Sequence, residues 1–329
     1  MCAEQRRLEF LYQGSLLSRL DKFILEQLTA VPDLKGLSRS QIKLWIERGA
    51  VSVDGVVVLK AGAPLRPGAC VLLLPPEPEP TTLVPYAFDL KILYEDESIL
   101  VIDKPAGLSM HPGAGNRTRT LVNAVVGRLS DQLPGQAVLR PGVVHRLDKD
   151  TTGVVVLAKT VEAHVRLVEQ FAARTVERAY YAVVLSAPRA KHAVARTESG
   201  TISAALGRHP TRRKEFSVVT EGGKHAVTHW RVVERLPYAA LLEVRLETGR
   251  THQIRVHMTS IGAPLLGDET YTAPGGLPRE IAQVAADMGR QALHAFLLGF
   301  RHPISGEMLR FTSELPADFE LLLSRLRGT

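Results

Sequence analysis

Val143-Val144-His145-Arg146-Leu147-Asp148-Lys149-Asp150-Thr151-Thr152-Gly153-Val154-Val155-Val156-Leu157 sets a short polar insert between two apolar, β-branched runs. Runs of this composition, bounded by a Thr-Thr-Gly turn, predict buried strands on both sides. Loops positioned by rigid strands are where reactive groups are often displayed. The stretch therefore predicts a strand, a short turn and a second strand that together present one carboxylate, Asp148. Taken alone it has a plainer meaning: Arg146 and Asp148 on one face of an extended segment form an ordinary ion pair, with His145 a hydrogen-bonded neighbour.

Three further stretches decide against the plainer meaning. Lys104-Pro105-Ala106-Gly107-Leu108 with His111-Pro112-Gly113 precedes the aspartate, and Arg178-Ala179-Tyr180-Tyr181-Ala182-Val183 follows it. Leu246-Glu247-Thr248-Gly249-Arg250-Thr251-His252-Gln253-Ile254-Arg255-Val256-His257-Met258 comes next, trailed by Gly267-Asp268 and Tyr271. In this order, and with His145-Arg146-Leu147-Asp148-x-x-Thr151-x-Gly153, the chain closely resembles the RluA family of RNA pseudouridine synthases. Gly223-Lys224-His225-Ala226-Val227-Thr228-His229-Trp230 and Arg290-Gln291-Ala292-Leu293-His294-Ala295 bring it nearest to the RluD branch, whose members modify helix 69 of 23S rRNA. The likeness weakens over 188–199 and around Arg117 and Arg119.

The resemblance implies that Asp148 is the catalytic carboxylate, that Tyr180 stacks on the target base, and that Arg255 keeps Asp148 ionised and oriented. Ile254 and His145 then border the base pocket. Uracil must leave its ribose, turn and rejoin through carbon, so the uridine has to be flipped out of its stack. Arg146 is placed to fill the vacated space and bind phosphate. Asp148 is required whether it attacks as a nucleophile, stabilises positive charge or removes a ribose proton. Neighbouring side chains of a strand face opposite ways, so Tyr180 and Tyr181 cannot both line the site.

Composition bounds the remainder. The chain has 329 residues, 45% hydrophobic and 23% charged, the balance of a globular protein large enough for two domains. Nothing at its start resembles a signal peptide and no run approaches the ~20 apolar residues of a membrane helix, so a cytoplasmic protein is expected. Cys2 and Cys70, the two cysteines, form neither a disulfide framework nor a thiolate metal site. A net charge of +7 favours a polyanionic partner. Aromatic content of 5% argues against a sheet that stacks several bases, so backbone and shape recognition are expected instead.

Residues 14–74 predict a small basic module; residues 1–74 carry ten Lys or Arg against seven Asp or Glu. Ser38 and Gln41 form a capping box, after which Ile42, Trp45, Ile46 and Gly49 trace one buried helical face. Arg39 and Lys43 share another face. Val51–Val53 and Val56–Val58 flank Asp54-Gly55, a hairpin signal, and a strand follows at Cys70–Leu74. From Arg19-Leu20-Asp21-Lys22 to Val53-Asp54-Gly55 the module resembles the S4 RNA-binding domain, which implies that Arg39 and Lys43 contact RNA.

Pro75-Pro76-Glu77-Pro78-Glu79-Pro80 predicts an extended spacer, with the linker ending near residue 85 and a catalytic domain over 86–329. There, β-rich runs at Ile99–Ile102, Val154–Leu157, Tyr180–Leu185 and Leu241–Leu246 are interleaved with helices such as Thr160–Arg174. The alternation is irregular, so the fold class is α+β; the resemblance implies a mixed, largely antiparallel central sheet. Arg208, Arg212, Arg213 and Lys214 form a basic loop expected to touch RNA, as are Arg250 and His252.

Competing chemistries lack their anchors. His252 and His257 are five apart with no acidic partner at zinc-protease spacing, and neither G-x-S-x-G nor a phosphate-binding G-x-x-x-x-G-K-S/T is present. Gly113-Ala114-Gly115-Asn116-Arg117-Thr118 lacks the third glycine of a dinucleotide fingerprint. The expectation is a monomeric, cofactor-free and metal-free isomerase acting on large-subunit rRNA or a pre-ribosomal particle. Its alternatives are a sister enzyme for another rRNA site and a non-catalytic ribosome-assembly factor.

Overall fold

The computed structural model describes residues 7–328 apart from 32–33, 35–36, 38, 77–82, 114, 130–141, 187–191, 213–214 and 272–277. The chain divides into two compact units, residues 1–81 and 82–329.

The first unit runs β1 (Leu8–Leu11), β2 (Ser18–Arg19), α1 (Leu20–Leu28), α2 (Arg39–Glu47), β3 (Val51–Val53), β4 (Val56–Val57), β5 (Pro64–Leu65) and β6 (Cys70–Leu73). It starts before residue 14, because β1 pairs with β6 in an antiparallel sheet ordered β1-β6-β3-β4. Leu20, Phe23, Ile24 and Leu28 of α1 meet Ile42 and Ile46 of α2 over this sheet. Asp54 and Gly55, with φ of 50° and 83°, make the two-residue turn the sequence predicts between β3 and β4. Gly49, at φ 79°, ends α2: its N–H bonds to the Ile46 carbonyl and that of Ala50 to Trp45, the paired contacts of a Schellman motif. Ser38 of the expected capping box lies outside the described residues, as do 77–80 of the spacer. On the far side the linker stops short of 85, since the Val84 carbonyl already accepts a hydrogen bond from Asn123 of the second unit.

The second unit continues with β7 (Lys91–Glu95), β8 (Ile99–Lys104), α3 (Leu121–Leu129), β9 (Thr152–Ala158), α4 (Val161–Ala172), β10 (Glu177–Leu185), α5 (Ala193–Arg196), β11 (Ser199–Arg208), β12 (Phe216–Val218), β13 (Lys224–Leu236) and β14 (Ala239–Leu246). It closes with α6 (Gln253–Ser260), α7 (Arg279–Met288), β15 (Leu293–Arg301), β16 (Met308–Thr312) and α8 (Ala317–Arg327). Ten strands form one sheet, ordered β12-β11-β13-β14-β10-β15-β9-β8-β7 with β16 beside β15. Among the described residues its one parallel pair is β15 with β9, so the sheet is mixed and largely antiparallel.

Helices cover both faces, which is why the central strands read as unbroken apolar runs rather than alternating ones. Val155 and Leu157 of β9 pack with α3, α5 and α6, while Val154, Val156 and Ala158 pack under α4. Leu266, Ile281, Phe319 and Leu322 bury the opposite side of β10.

One expectation fails. Val143 and Val144 do not form a strand; Val143 makes only an isolated bridge to Leu157, and the Gly142 carbonyl accepts from Ala158. β15 pairs with β9 only at Thr152 and Gly153, and the edge beyond is taken up group by group: the Val156 N–H donates to the His145 ring and that of Ala158 to the Gly142 carbonyl, so no ladder forms.

Gly153 shows why the turn into β9 needs glycine. Its φ is 113°, and a Cβ there would stand 2.1 Å from the Ala295 carbonyl oxygen on β15. Gly153→Ala is expected to cost at least about 2 kcal/mol, from backbone strain and separation of the parallel pair. Chemical denaturation of the variant checks this, and an unchanged midpoint contradicts it.

Candidate active site

Asp148 sits on an irregular loop tied down at almost every residue. His145 Nε2 accepts the Val156 N–H at 3.0 Å, and its ring stacks on Phe171 at 4.7 Å between centroids. Burial, aided by the charge of Arg178, pushes the His145 pKa down to about 3, so the ring is neutral and available as an acceptor. Lys104 Nζ, itself 1% exposed, donates to the carbonyls of Pro105, Leu108 and Lys149 at 2.8, 2.9 and 2.8 Å. Burial lowers its pKa to about 7, against the pull of Asp150 and Asp148, while three acceptors use all three ammonium protons. From the other side Arg290 Nη1 donates to the Asp150 carbonyl at 3.1 Å and Gln291 to Thr151 Oγ1 at 3.2 Å. Arg290 is in turn clamped by Asp318 of α8.

Arg255 enters from α6. Its Nη1 donates to Asp148 Oδ2 at 3.3 Å, while Nε and Nη2 grip both oxygens of Asp268 at 2.7 and 2.8 Å. Two carboxylates thus share one guanidinium. Burial opposes the Arg255 charge, but these two anions outweigh it and raise its pKa. Asp268 takes the bidentate half and is fully enclosed, whereas Asp148 retains 15% exposure and an Oδ1 without a partner among the described residues. The carboxylate is oriented at one oxygen and open at the other.

The start of α6 is pinned by Gln253, whose side chain accepts from Thr248 and the Arg250 N–H and donates to the Val227 carbonyl and Thr228. His252, just before the helix, has a φ of 56°. Its Nε2 lies 4.0 Å from Asp148 Oδ2, and Nδ1 is 2.8 Å from the Tyr271 hydroxyl. Burial lowers the His252 pKa although Asp148 resists. Tyr271 also lies beneath the Arg255 guanidinium, 4.9 Å from ring centroid to Cζ. His257 is a buried helix residue bonded to Thr228.

Two cavities flank Asp148. A polar one of about 430 Å³ lies beside Lys149, Asp150, Asp268 and Arg290. The other, of about 530 Å³, is bordered by Tyr180, Ile254, His145, Arg178 and Leu293. Tyr180 faces this second cavity; burial raises its pKa, with Arg178 opposing and Asp148 adding. Tyr181 faces the other side of the sheet, stacked on Phe296 at 4.0 Å. Arg146 borders both cavities, exposed and without a hydrogen-bond partner among the described residues.

The structure thus brings together Asp148, Tyr180, Arg255, Ile254, Arg146 and His145, and adds His252, which the sequence reading counted as an RNA contact. Arg250 is exposed at the rim of the Tyr180 cavity. Arg208 lies over Phe216 at 4.8 Å, and Arg212 pairs with Glu215 at 3.2 Å; Arg213 and Lys214 lie outside the described residues. In the first unit, Arg39 Nε donates to the buried Asp21 at 2.8 Å, and Lys43 pairs with Glu47 at 3.5 Å. Arg19 is the other partner of Asp21, and with Arg39 it holds that carboxyl at about 2 against the effect of burial. Asp268, Tyr271, Lys104, Arg178 and Arg290 were missed as site residues, although each lies in a stretch whose resemblance was already clear. Among the described residues no group of three or more His, Cys, Asp or Glu could hold a metal ion, and no helix is long and apolar enough to cross a membrane.

Comparison with known proteins identifies the family. Residues 98–260 match the model of the RNA pseudouridylate synthase family and residues 18–70 that of the S4 domain. An RNA pseudouridine synthase of Synechocystis is 43% identical over 96% of this chain and 91% of its own. The ribosomal large subunit pseudouridine synthase D of Pseudomonas aeruginosa is 45% identical over 88% of both. The solved structure of human RNA pseudouridylate synthase domain containing 4 superposes with a TM-score of 0.53 at 27% identity, covering 72% of this chain and 93% of that one. With relatives this similar over nearly its whole length, the chain belongs to the RNA pseudouridylate synthase family, isomerases that turn uridine in RNA into pseudouridine, and carries an S4 domain ahead of the catalytic unit.

Proposed function

We propose that the protein isomerises specific uridines of large-subunit rRNA, within helix 69 of 23S rRNA, at the Asp148 carboxylate. The observation that carries the chemistry is the shared guanidinium: Arg255 fixes one oxygen of Asp148 and leaves the other open beside the cavity bordered by Tyr180. A flipped uridine in that cavity brings its anomeric carbon to Asp148 and its base to the Tyr180 ring, and Arg146, exposed at the mouth, fills the gap left in the RNA. The rRNA assignment rests on relatives named as large-subunit enzymes. Mapping pseudouridines in rRNA from cells with and without the protein tests it. Loss of modification in helix 69 is expected; loss only elsewhere in the large subunit points to a sister site, and no rRNA change removes the rRNA assignment.

The S4 unit is proposed to bind RNA through α2, with Arg39 and Lys43 mainly at phosphates. Both cations have acidic partners yet remain more than half exposed. Because Arg19 also holds Asp21, the double change Arg39→Ala, Lys43→Ala leaves that buried carboxylate paired. It is expected to weaken RNA binding and flatten the log-log salt dependence by roughly one to two units, at about 0.7 to 0.9 for each phosphate no longer neutralised. Single-turnover rates at saturating RNA should match wild type. An unchanged slope means that α2 does not bind RNA.

A further inference from the structure

The cavity bordered by Tyr180 has in its wall a buried cation that no carboxylate answers. Arg178 lies two residues before Tyr180 on β10, so it leaves the strand on the same face, and it borders the same cavity at 9% exposure. Its Nη2 makes two long contacts, 3.4 Å to the Leu246 carbonyl and 3.3 Å to that of Glu247, and its Nε is buried without a partner. The Glu247 carboxylate is engaged by Arg174 at 3.3 Å and His229 at 2.8 Å. Phe171 lies 5.6 Å from the guanidinium carbon, which suits a cation but satisfies none of its N–H donors. Gly249 makes room for the group: a Cβ there would stand 2.9 Å from Arg178 Nη1. Burying a cation without a carboxylate is costly, and an unsatisfied buried donor beside a cavity calls for a ligand acceptor.

We infer that Arg178 donates to the departing base and stabilises the negative charge that uracil acquires as its bond to ribose breaks. The inference rests on the reading that the flipped uridine occupies this cavity. When the C1′–N1 bond cleaves, its electron pair passes to N1 and through the ring to the carbonyl oxygens. On rejoining, C5 supplies the pair for the new bond to C1′, the C5 proton leaves and N1 gains a proton. The product is an isomer and no electrons are exchanged with a cofactor. Between the two steps the base is an anion in an enclosed space, where a prearranged donor is most effective. Arg255 is already committed to Asp148 and Asp268.

Arg178→Met keeps an unbranched apolar stem and removes the charge. Thermal unfolding and the single-turnover rate at which the C1′–N1 bond is lost, in RNA carrying uridine or 5-fluorouridine at the target position, test it; with fluorine at C5 no proton can leave on rejoining, so bond cleavage and not pseudouridine is scored for both. The melting temperature should hold or rise, since a buried charge without a carboxylate is removed. Cleavage at uridine should slow about 10²- to 10³-fold at unchanged RNA affinity, and the defect should be about tenfold smaller with 5-fluorouridine, whose fluorine already stabilises the departing anion. Arg178→Lys should recover part of the rate. A lower melting temperature, equal slowing of both substrates, a wild-type rate, or a loss confined to affinity with a shallower salt slope would each overturn the inference. Activity in Asp148→Asn would instead remove the reading on which it rests.

Discussion

Asp148→Asn is expected to abolish conversion of uridine, lowering the single-turnover rate by at least about 10⁴-fold, the scale on which removing an essential reacting group acts. RNA affinity should stay within a fewfold, because Asp148 contributes no attraction to phosphate. The substitution is nearly isosteric, and the anchors of the loop, from Lys104, Arg290, Gln291 and His145, involve its neighbours rather than its own side chain. The fold should therefore survive with the amide in place of the carboxylate. What disappears is the negative oxygen facing the cavity, needed for attack on the sugar, for stabilising positive charge on it, or for removing its proton. Quantifying pseudouridine in a target RNA at saturating enzyme, alongside binding measured on the same RNA, separates the two effects. Full activity would take Asp148 out of the chemistry.

Arg255→Ala is expected to damage both stability and turnover. The guanidinium is the one cation gripping Asp268 among the described residues, and the Asp268 side chain is fully enclosed; stripping a buried carboxylate of its partner costs about 3–5 kcal/mol. Asp148 also loses its orienting contact. Arg255→Lys keeps a charge but not the planar fork that reaches two carboxylates together, so it should rescue little. Adding Asp268→Ala to Arg255→Ala should recover part of the melting temperature, because the orphaned charge is gone, without restoring activity. A stable, active Arg255→Ala variant would show that the orientation of Asp148 is set elsewhere.

Much of this site was legible because the relevant signals are local. Period-two alternation separates Tyr180 from Tyr181 without coordinates, and the Asp54-Gly55 turn follows from backbone sterics. The apolar run at Val154–Leu157 specifies a strand buried on both faces. What escaped is long-range. Val143–Val144 has the composition of a strand, but the Val156 N–H that a ladder along β9 would need is taken by the His145 ring. Arg39 shares its helix face with Lys43, yet nothing within that helix tells that Asp21 of α1 takes its Nε. Asp268 lies 13 residues beyond Arg255 in the loop after α6, and no helical or strand periodicity links them. Lys104 looks like a surface residue by type; that it is buried among three carbonyls depends on loops from opposite ends of the active-site segment.

The parallel pair of β9 with β15 sets an order for the making of this enzyme. Thr152 and His294 are 142 positions apart, and Arg290 and Gln291 reach the Asp148 loop across 140. Such pairings close late in folding because a long segment must first be drawn in. At synthesis rates of about 5–20 residues per second, roughly 7 to 30 s separate the appearance of the catalytic aspartate from that of the strand and side chains that hold its loop. During that interval β9 presents an unpaired edge, the kind of surface on which newly made chains associate wrongly. A nascent chain therefore carries its reactive residue long before it has a working site, and chemistry on RNA begins only once β15 has docked.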